Sequence, residues 1–182
     1  MPGPSWELCR PATRVADVFD VSEVANIQDP VVSPTAGDGV SVHAADFNDQ
    51  DDQYYVFQAP LGFESIDRVI LYVYGKATVS GSYRIDAFAE WAGHTAPPVH
   101  VEFGVADSAY AWKSCTDDGA FDPANFATDF QLHLKTYALG AGESFDVDAA
   151  YAVVYGIRAG AAGSAGIGGA GNTVGSPYPQ II

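Results

Sequence analysis

Side-chain alternation with a period of two residues narrows the possible folds more than any other feature of this chain. In Tyr83-Arg84-Ile85-Asp86-Ala87-Phe88-Ala89-Glu90-Trp91 the odd positions are apolar and most even ones are charged. Val99-His100-Val101-Glu102-Phe103 and Phe130-Gln131-Leu132-His133-Leu134-Lys135 repeat the pattern. Successive side chains of a strand point to opposite faces, so such segments bury one face and wet the other. Val69-Ile70-Leu71-Tyr72-Val73-Tyr74 is apolar or aromatic throughout, as expected of a central strand covered on both sides. The last long strand, Phe145 to Tyr155, keeps its large apolar residues at odd positions. Adding 40–43, 53–58 and 109–113 gives about eight strands, separated by turns such as Pro60-Leu61-Gly62 and Gly140-Ala141-Gly142. Strands at this spacing without intervening helices predict an all-β fold: a two-sheet antiparallel sandwich, jelly-roll-like. Asp122-Pro123-Ala124-Asn125-Phe126 reads as one helical turn, with Asp122 as N-cap and Pro123 in the first helical position.

Three parts follow from the pattern. Residues 1–38 carry many turn signals, including Asp29-Pro30 and Ser33-Pro34, and read as an extended N-terminal arm. Residues 39–157 form the β-sandwich domain. Residues 158–182 are a Gly/Ala-rich C-terminal tail that cannot bury enough apolar area by itself to offset its ordering entropy. Such a tail needs a surface to lie on, its own domain or a neighbouring subunit, and Tyr178, Ile181 and Ile182 are the expected interface anchors.

Composition removes several function classes. The formal charge is −15 over 182 residues, which disfavours binding to phosphate backbones. An excess of carboxylates keeps copies apart in solution and also suits salty surroundings. No stretch reaches the roughly 18 apolar residues of a membrane-spanning helix. The start, Met1-Pro2-Gly3-Pro4-Ser5-Trp6-Glu7, lacks the pattern of a secretory signal, so a soluble protein made in a cytoplasm is expected. Cys9 and Cys115 are the two cysteines; they suit either one long-range bridge or two buried thiols, and no Cys-x-x-Cys pair supports zinc or redox chemistry.

No motif for catalysis emerges, and no catalytic residue, cofactor or metal ligand is assigned. His100 and His133 take polar-facing strand positions, His43 lies on a strand and His94 in a loop, with no metal-ligand spacing among them. Gly163-Ser164-Ala165-Gly166 lacks the strand–turn–helix of a nucleophile elbow, and Gly166-Ile167-Gly168-Gly169-Ala170-Gly171 has no helix to follow it. The acidic stretch Asp46-Phe47-Asn48-Asp49-Gln50-Asp51-Asp52 has oxygen ligands for calcium, but Asp51 and Phe57 stand where an EF-hand needs Gly and Glu. It reads as a solvated turn, as does Asp117-Asp118-Gly119. Asp146 and Asp148 share a strand face in a regular pattern, which reads as wet sheet surface. Trp6, Trp91 and Trp112 contain the aromatic surface a sugar-stacking platform would use. Trp91 instead ends an inward-facing register, and Trp112 shares a face with Tyr110 near a sheet edge.

The order of features resembles a loose family of structural proteins of tailed phages and related viruses. The resemblance rests on Arg10-Pro11, the Pro-bearing stretch from Ile27 to Asp38, and Ile66-Asp67-Arg68-Val69-Ile70-Leu71-Tyr72-Val73. It continues with Trp112 ahead of Asp122-Pro123-Ala124-Asn125, and with Val147 to Tyr155 as the last strand. It spans roughly residues 10–157 and leaves the tail outside. It implies a non-enzymatic virion component assembled in the host cytoplasm, most simply a capsid decoration or cement protein. The implied partners are the major capsid protein and copies of itself, as a trimer; no nucleic acid and no membrane are involved. A tail fibre or baseplate component, or a carbohydrate-binding module contacting host glycans, is the alternative.

Overall fold

The computed structural model describes residues 4–15, 19, 22–29, 40–45, 50–80, 85–137 and 139–158. Ten strands occur among them: β1 (Pro4–Cys9), β2 (Pro11–Arg14), β3 (Val42–Ala45), β4 (Gln50–Phe57), β5 (Phe63–Thr78), β6 (Ile85–Trp91), β7 (His94–Phe103), β8 (Ala111–Phe121), β9 (Gln131–Tyr137) and β10 (Ser144–Arg158). They form two antiparallel sheets. Sheet A runs β1-β10-β5-β8 with β3 also on β10, and sheet B runs β2-β4-β9-β6-β7. From β3 onward the chain crosses between sheets at every step except the β6–β7 hairpin. The resulting orders, β3-β10-β5-β8 and β4-β9-β6-β7, are the winding of a jelly roll.

The eight strands expected from alternation correspond to β3 through β10, and the two additional ones come from the segment read as an arm. β1 pairs with β10, Pro4 opposite Ile157 and Cys9 opposite Ala152. One residue later the chain enters sheet B, where β2 pairs with β4. Both are edge strands, where a proline costs no ladder hydrogen bond, so Pro4 and Pro11 do not prevent pairing. The 3-10 turn Val24–Ile27 buries Ile27, and Gln28 bridges to Ala149. Arg10 fixes this passage by donating to the carbonyl oxygens of Gln28 (3.0 Å) and Asp29 (3.3 Å).

The core lies between the sheets. Sheet A contributes Ile66, Val69, Leu71, Val73, Phe145, Val147, Ala150, Ala152 and Val154; sheet B contributes Tyr55, Phe57, Ile85, Ala87, Ala89, Trp91, Phe103, Leu132 and Leu134. Burying each Val, Leu, Ile or Phe contributes about 1.5–3 kcal/mol. One end is closed by the helix α1 (Ala124–Asp129), whose Phe126 stacks on the fully buried Trp91 at 5.0 Å. Asp122 Oδ1 accepts from the Ala124 N–H at 2.9 Å, although the helix starts one residue later than expected, with Pro123 at the N-cap. Trp91 is thus a core residue, as its register predicts.

Two expectations about local structure are corrected. Asp117-Asp118-Gly119 is not a turn: β8 continues through it to Phe121, with Asp118 opposite Arg68. An edge strand tolerates charges and Gly because they discourage pairing with other chains. Asp146 and Asp148 do not lie on a regular wet face. The register shifts between Val147 and Ala149, so Asp148 is an extra residue in the ladder, and both carboxylates are buried, at 8% and 1% exposure.

Cys9 and Cys115 are free thiols. They stand in one row across sheet A, through Ala152 and Leu71, from β1 to β8. Three strand spacings separate them by about 14 Å, twice the roughly 7 Å over which a disulfide can form. Burial pushes the Cys9 thiol up to about 12, with Glu7 adding to the shift, so it is chemically inert.

The tail residues 159–182, including Tyr178, Ile181 and Ile182, lie outside the described residues, as do 46–49 of the acidic stretch and 30–39.

Candidate functional site

The solvent side of sheet A is built as cross-strand rows of paired residues, whose side chains share a face. At the β8 end of the face, Tyr74 stacks on Tyr110 (5.4 Å) and tilts against Trp112 (5.1 Å). Trp112 meets Tyr151 edge-on at 5.5 Å, and Tyr151 stacks on Tyr72 at 4.9 Å. Five aromatic rings therefore form one connected cluster outside the core. The bulge at Asp148 makes this possible. Before it, Phe145 and Val147 point inward; after it, Ala150, Ala152 and Val154 do, which turns Tyr151, Val153 and Tyr155 to the outer face. The tyrosines are held in low-polarity surroundings. Burial raises the Tyr72 phenol above its ordinary value and raises Tyr151 further, with Tyr72 itself adding to the latter.

Beyond the aromatic cluster lies an ionic group. Asp146 accepts from or pairs with His43 Nδ1 (2.7 Å), Ser41 Oγ (3.4 Å) and Lys76 Nζ (3.7 Å). The Lys76 ammonium also lies 4.8 Å from the centre of the Tyr110 ring, joining the two groups.

At the opposite end of the same face a second row runs Trp6, Tyr155, Arg68, Asp118 across β1, β10, β5 and β8. A cleft of about 480 Å³ opens there, lined by Pro4, Ser5, Asp67, Arg68, Asp118, Tyr155 and Gly156. Consecutive strand residues normally face opposite sides. Asp67 and Arg68 both line the cleft because Asp67 is an extra residue in the ladder to β10; in the ladder to β8 the extra residue lies on β8, where Gly119 and Ala120 stand against Asp67. Arg68 Nε donates to Asp118 Oδ1. Gly156 lets β10 run close to β5: a Cβ there would stand 2.0 Å from the Ser65 carbonyl oxygen and 2.9 Å from Ile66 Cα.

The solvent side of sheet B is different in kind. His133 lies between Phe88 (4.7 Å, 5° between planes) and Tyr54 (5.2 Å, 12°). Its Nδ1 faces Asp52 at 2.9 Å, and its Nε2 faces Gln131 at 3.1 Å and Glu90 at 3.6 Å. With its side chain only 12% exposed, His133 is more enclosed than a surface position in an alternating strand implies. Asp86, His100 and Glu102 bring three ligand-type atoms within 4.8 Å of one another, a spacing a divalent ion could span. His100 Nε2 and Glu102 Oε1 are 3.3 Å apart. His94 is the first residue of β7, not a loop residue, and its ring packs on Trp91 and Phe121.

Placed against the sequence reading, Trp112 and Tyr110 do share a face at a sheet edge, each packing on Tyr74, and Trp6 stands 48% exposed. What alternation could not show is the grouping of Trp6, Tyr155, Arg68 and Asp118, which depends on pairing of residues 50, 87 and 149 positions apart.

No protein-family model matches the chain, and no curated protein matches it. Among solved structures, similarity is found to the crystal structure of dimeric latent PorU from Porphyromonas gingivalis, at 11% identity and a TM-score of 0.34. The alignment covers 86% of this chain and 13% of that one, so the chain spans a small fraction of that protein's length. A likeness at this level supports no conclusion about function.

Proposed function

We propose that this chain is a non-enzymatic structural subunit of a tailed-virus particle, a capsid decoration or cement protein that adheres to the major capsid protein and to copies of itself. The observation that carries the reading is the set of half-buried rings Tyr72, Tyr74, Tyr110 and Trp112 on the outer side of sheet A, packed around the buried Tyr151. Trp and Tyr are the side chains that contribute most at protein interfaces, because they bury large areas at small entropic cost. The ordered resemblance of residues 10–157 to phage structural proteins supports the virion setting. A rigid sandwich repeated in many copies gives avidity beyond any single contact. Residues 158–182, with Tyr178, Ile181 and Ile182, supply further contact area in this reading.

Undecorated capsids mixed with purified protein test it. Sedimented particles are expected to carry the protein at stoichiometric occupancy. Trp112→Ala costs about 2 kcal/mol of a hot-spot contact, about thirtyfold in affinity, and removal of residues 159–182 weakens attachment further. Wild-type protein that stays in the supernatant at every concentration defeats the proposal.

A further inference from the structure

We infer that the cleft at the Trp6 end of sheet A binds a neutral pyranose residue of a glycan, a site separate from the aromatic cluster proposed to meet the capsid. The inference stands on the cleft and holds whether or not the chain belongs to a particle.

Four features converge there. The cleft, about 480 Å³, lies within the 300–1,000 Å³ typical of small-ligand sites. Aromatic surface borders it: Tyr155 lines it, and Trp6, directly opposite Tyr155 and 48% exposed, stands beside it. A pyranose presents a face of C–H groups that packs on such rings, and its hydroxyls need partners at the rim. Asp67, Arg68, Asp118 and Ser5 supply both kinds of partner: carboxylates accept, a guanidinium donates, and a hydroxyl does either. Arg68 and Asp118 are held side by side by their own hydrogen bond, so their orientation is set before a ligand arrives.

The backbone is shaped for this end of the sheet. The irregularity at Asp67 aims two successive polar side chains into one cleft, and Gly156 lets β10 lie close against β5 beside it. Bulges of this kind recur beside functional sites because they redirect a side chain without ending the strand. The balance of charge selects the sugar. Two carboxylates and one guanidinium line the cleft, on a chain of net charge −15, so acidic sugars are repelled and neutral ones are favoured. Along β5 Arg68 lies four residues, about 13 Å, from Tyr72 and six, about 20 Å, from Tyr74, so a partner seated on Tyr74, Tyr110 and Trp112 leaves the cleft open.

The test uses the full chain on an array of neutral hexose and N-acetylhexosamine oligosaccharides, with sialylated ones alongside. Hits are followed by saturation-transfer NMR with the free monosaccharide. Binding to neutral glycans is expected, and sialylated ones are expected to give no signal. Trp6→Ala weakens binding at least tenfold, and Asp118→Asn reduces it. Trp112→Ala on the same sheet and Phe88→Ala on the other leave it unchanged. Trp6 is half exposed on an edge strand, so an unchanged melting temperature confirms that Trp6→Ala remains folded. Retention of the signal by the oligosaccharide alone, with none from the monosaccharide, places the contact beyond one sugar and overturns the single-residue assignment. No binding across the array, or equal binding by Trp6→Ala, overturns the site itself.

Discussion

The two solvent faces of this sandwich are made from strands of similar alternation, yet they differ in kind. On sheet B the outward positions carry His100, His133, Asp86, Glu90, Glu102 and Lys135, and the pattern is unbroken through β9. On sheet A the outward positions of β10 are Ala149, Tyr151 and Val153, all under 2% exposed. One extra residue accounts for the difference. Asp148 shifts the register of β10, so the apolar residues that alternation assigns to the core are turned outward, while small residues, Ala150 and Ala152, take the inward places. Sheet A therefore has apolar packing on both sides of its central strands, and sheet B has it on one.

This contrast can be broken by mutation. If the outer side of sheet A packs like a core, Tyr151→Ala destabilises the fold by about 3 kcal/mol, in line with buried aromatic truncations. A loss below 1 kcal/mol in urea denaturation would refute that view. Phe88→Ala, at the matching outward place on sheet B, removes one stacked pair with His133 and is expected to cost about 1 kcal/mol. Equal losses for the two variants would erase the distinction between the faces.

Alkaline titration sharpens it further. Burial raises the Tyr72 and Tyr151 phenols, so the folded state holds their protons more tightly than the unfolded state does. Their contribution is fully present below the ordinary tyrosine value of about 10 and is lost as pH rises through the elevated folded values. Stability should fall above pH 10, with the 295 nm phenolate signal of these residues lagging. Replacing both with Phe should flatten that limb, and an unaltered limb would assign the loss elsewhere. The smallest effect is expected outside both faces. Glu143 is lowered by hydrogen bonds from the Gly140 N–H (2.7 Å), the Ser80 N–H (2.6 Å) and the Ser80 hydroxyl (2.8 Å). Its contribution is present above the ordinary carboxylate range and fades as pH falls through the lowered folded value. Glu143→Gln should therefore make the acid limb of the stability curve shallower, measured as denaturation midpoint against pH.

Strand identity was legible because alternation is local: β6, β7 and β9 follow from their own residues. β1 and β2 were not, because Pro4 and Pro11 signal loop unless the segment is known to occupy an edge. The bulges at Asp67 and Asp148 were illegible for a similar reason. A ladder irregularity is a property of two strands, and neither strand's sequence records the partner's count. Asp146 and Asp148 consequently read as surface. The cleft escaped too, since Trp6, Arg68, Asp118 and Tyr155 become neighbours only through the order of strands in sheet A. Trp112 with Tyr110 was found because a spacing of two along one strand suffices to place them together.

The pairing of Pro4–Cys9 with the far end of β10 has a consequence for how the molecule is made. β1 must wait for β10, since its ladder partner among the described residues is about 150 residues downstream. Topologies ruled by such distant pairings fold slowly. β1 therefore stays without this ladder until β10 has been made, so closure of sheet A follows synthesis of the other strands.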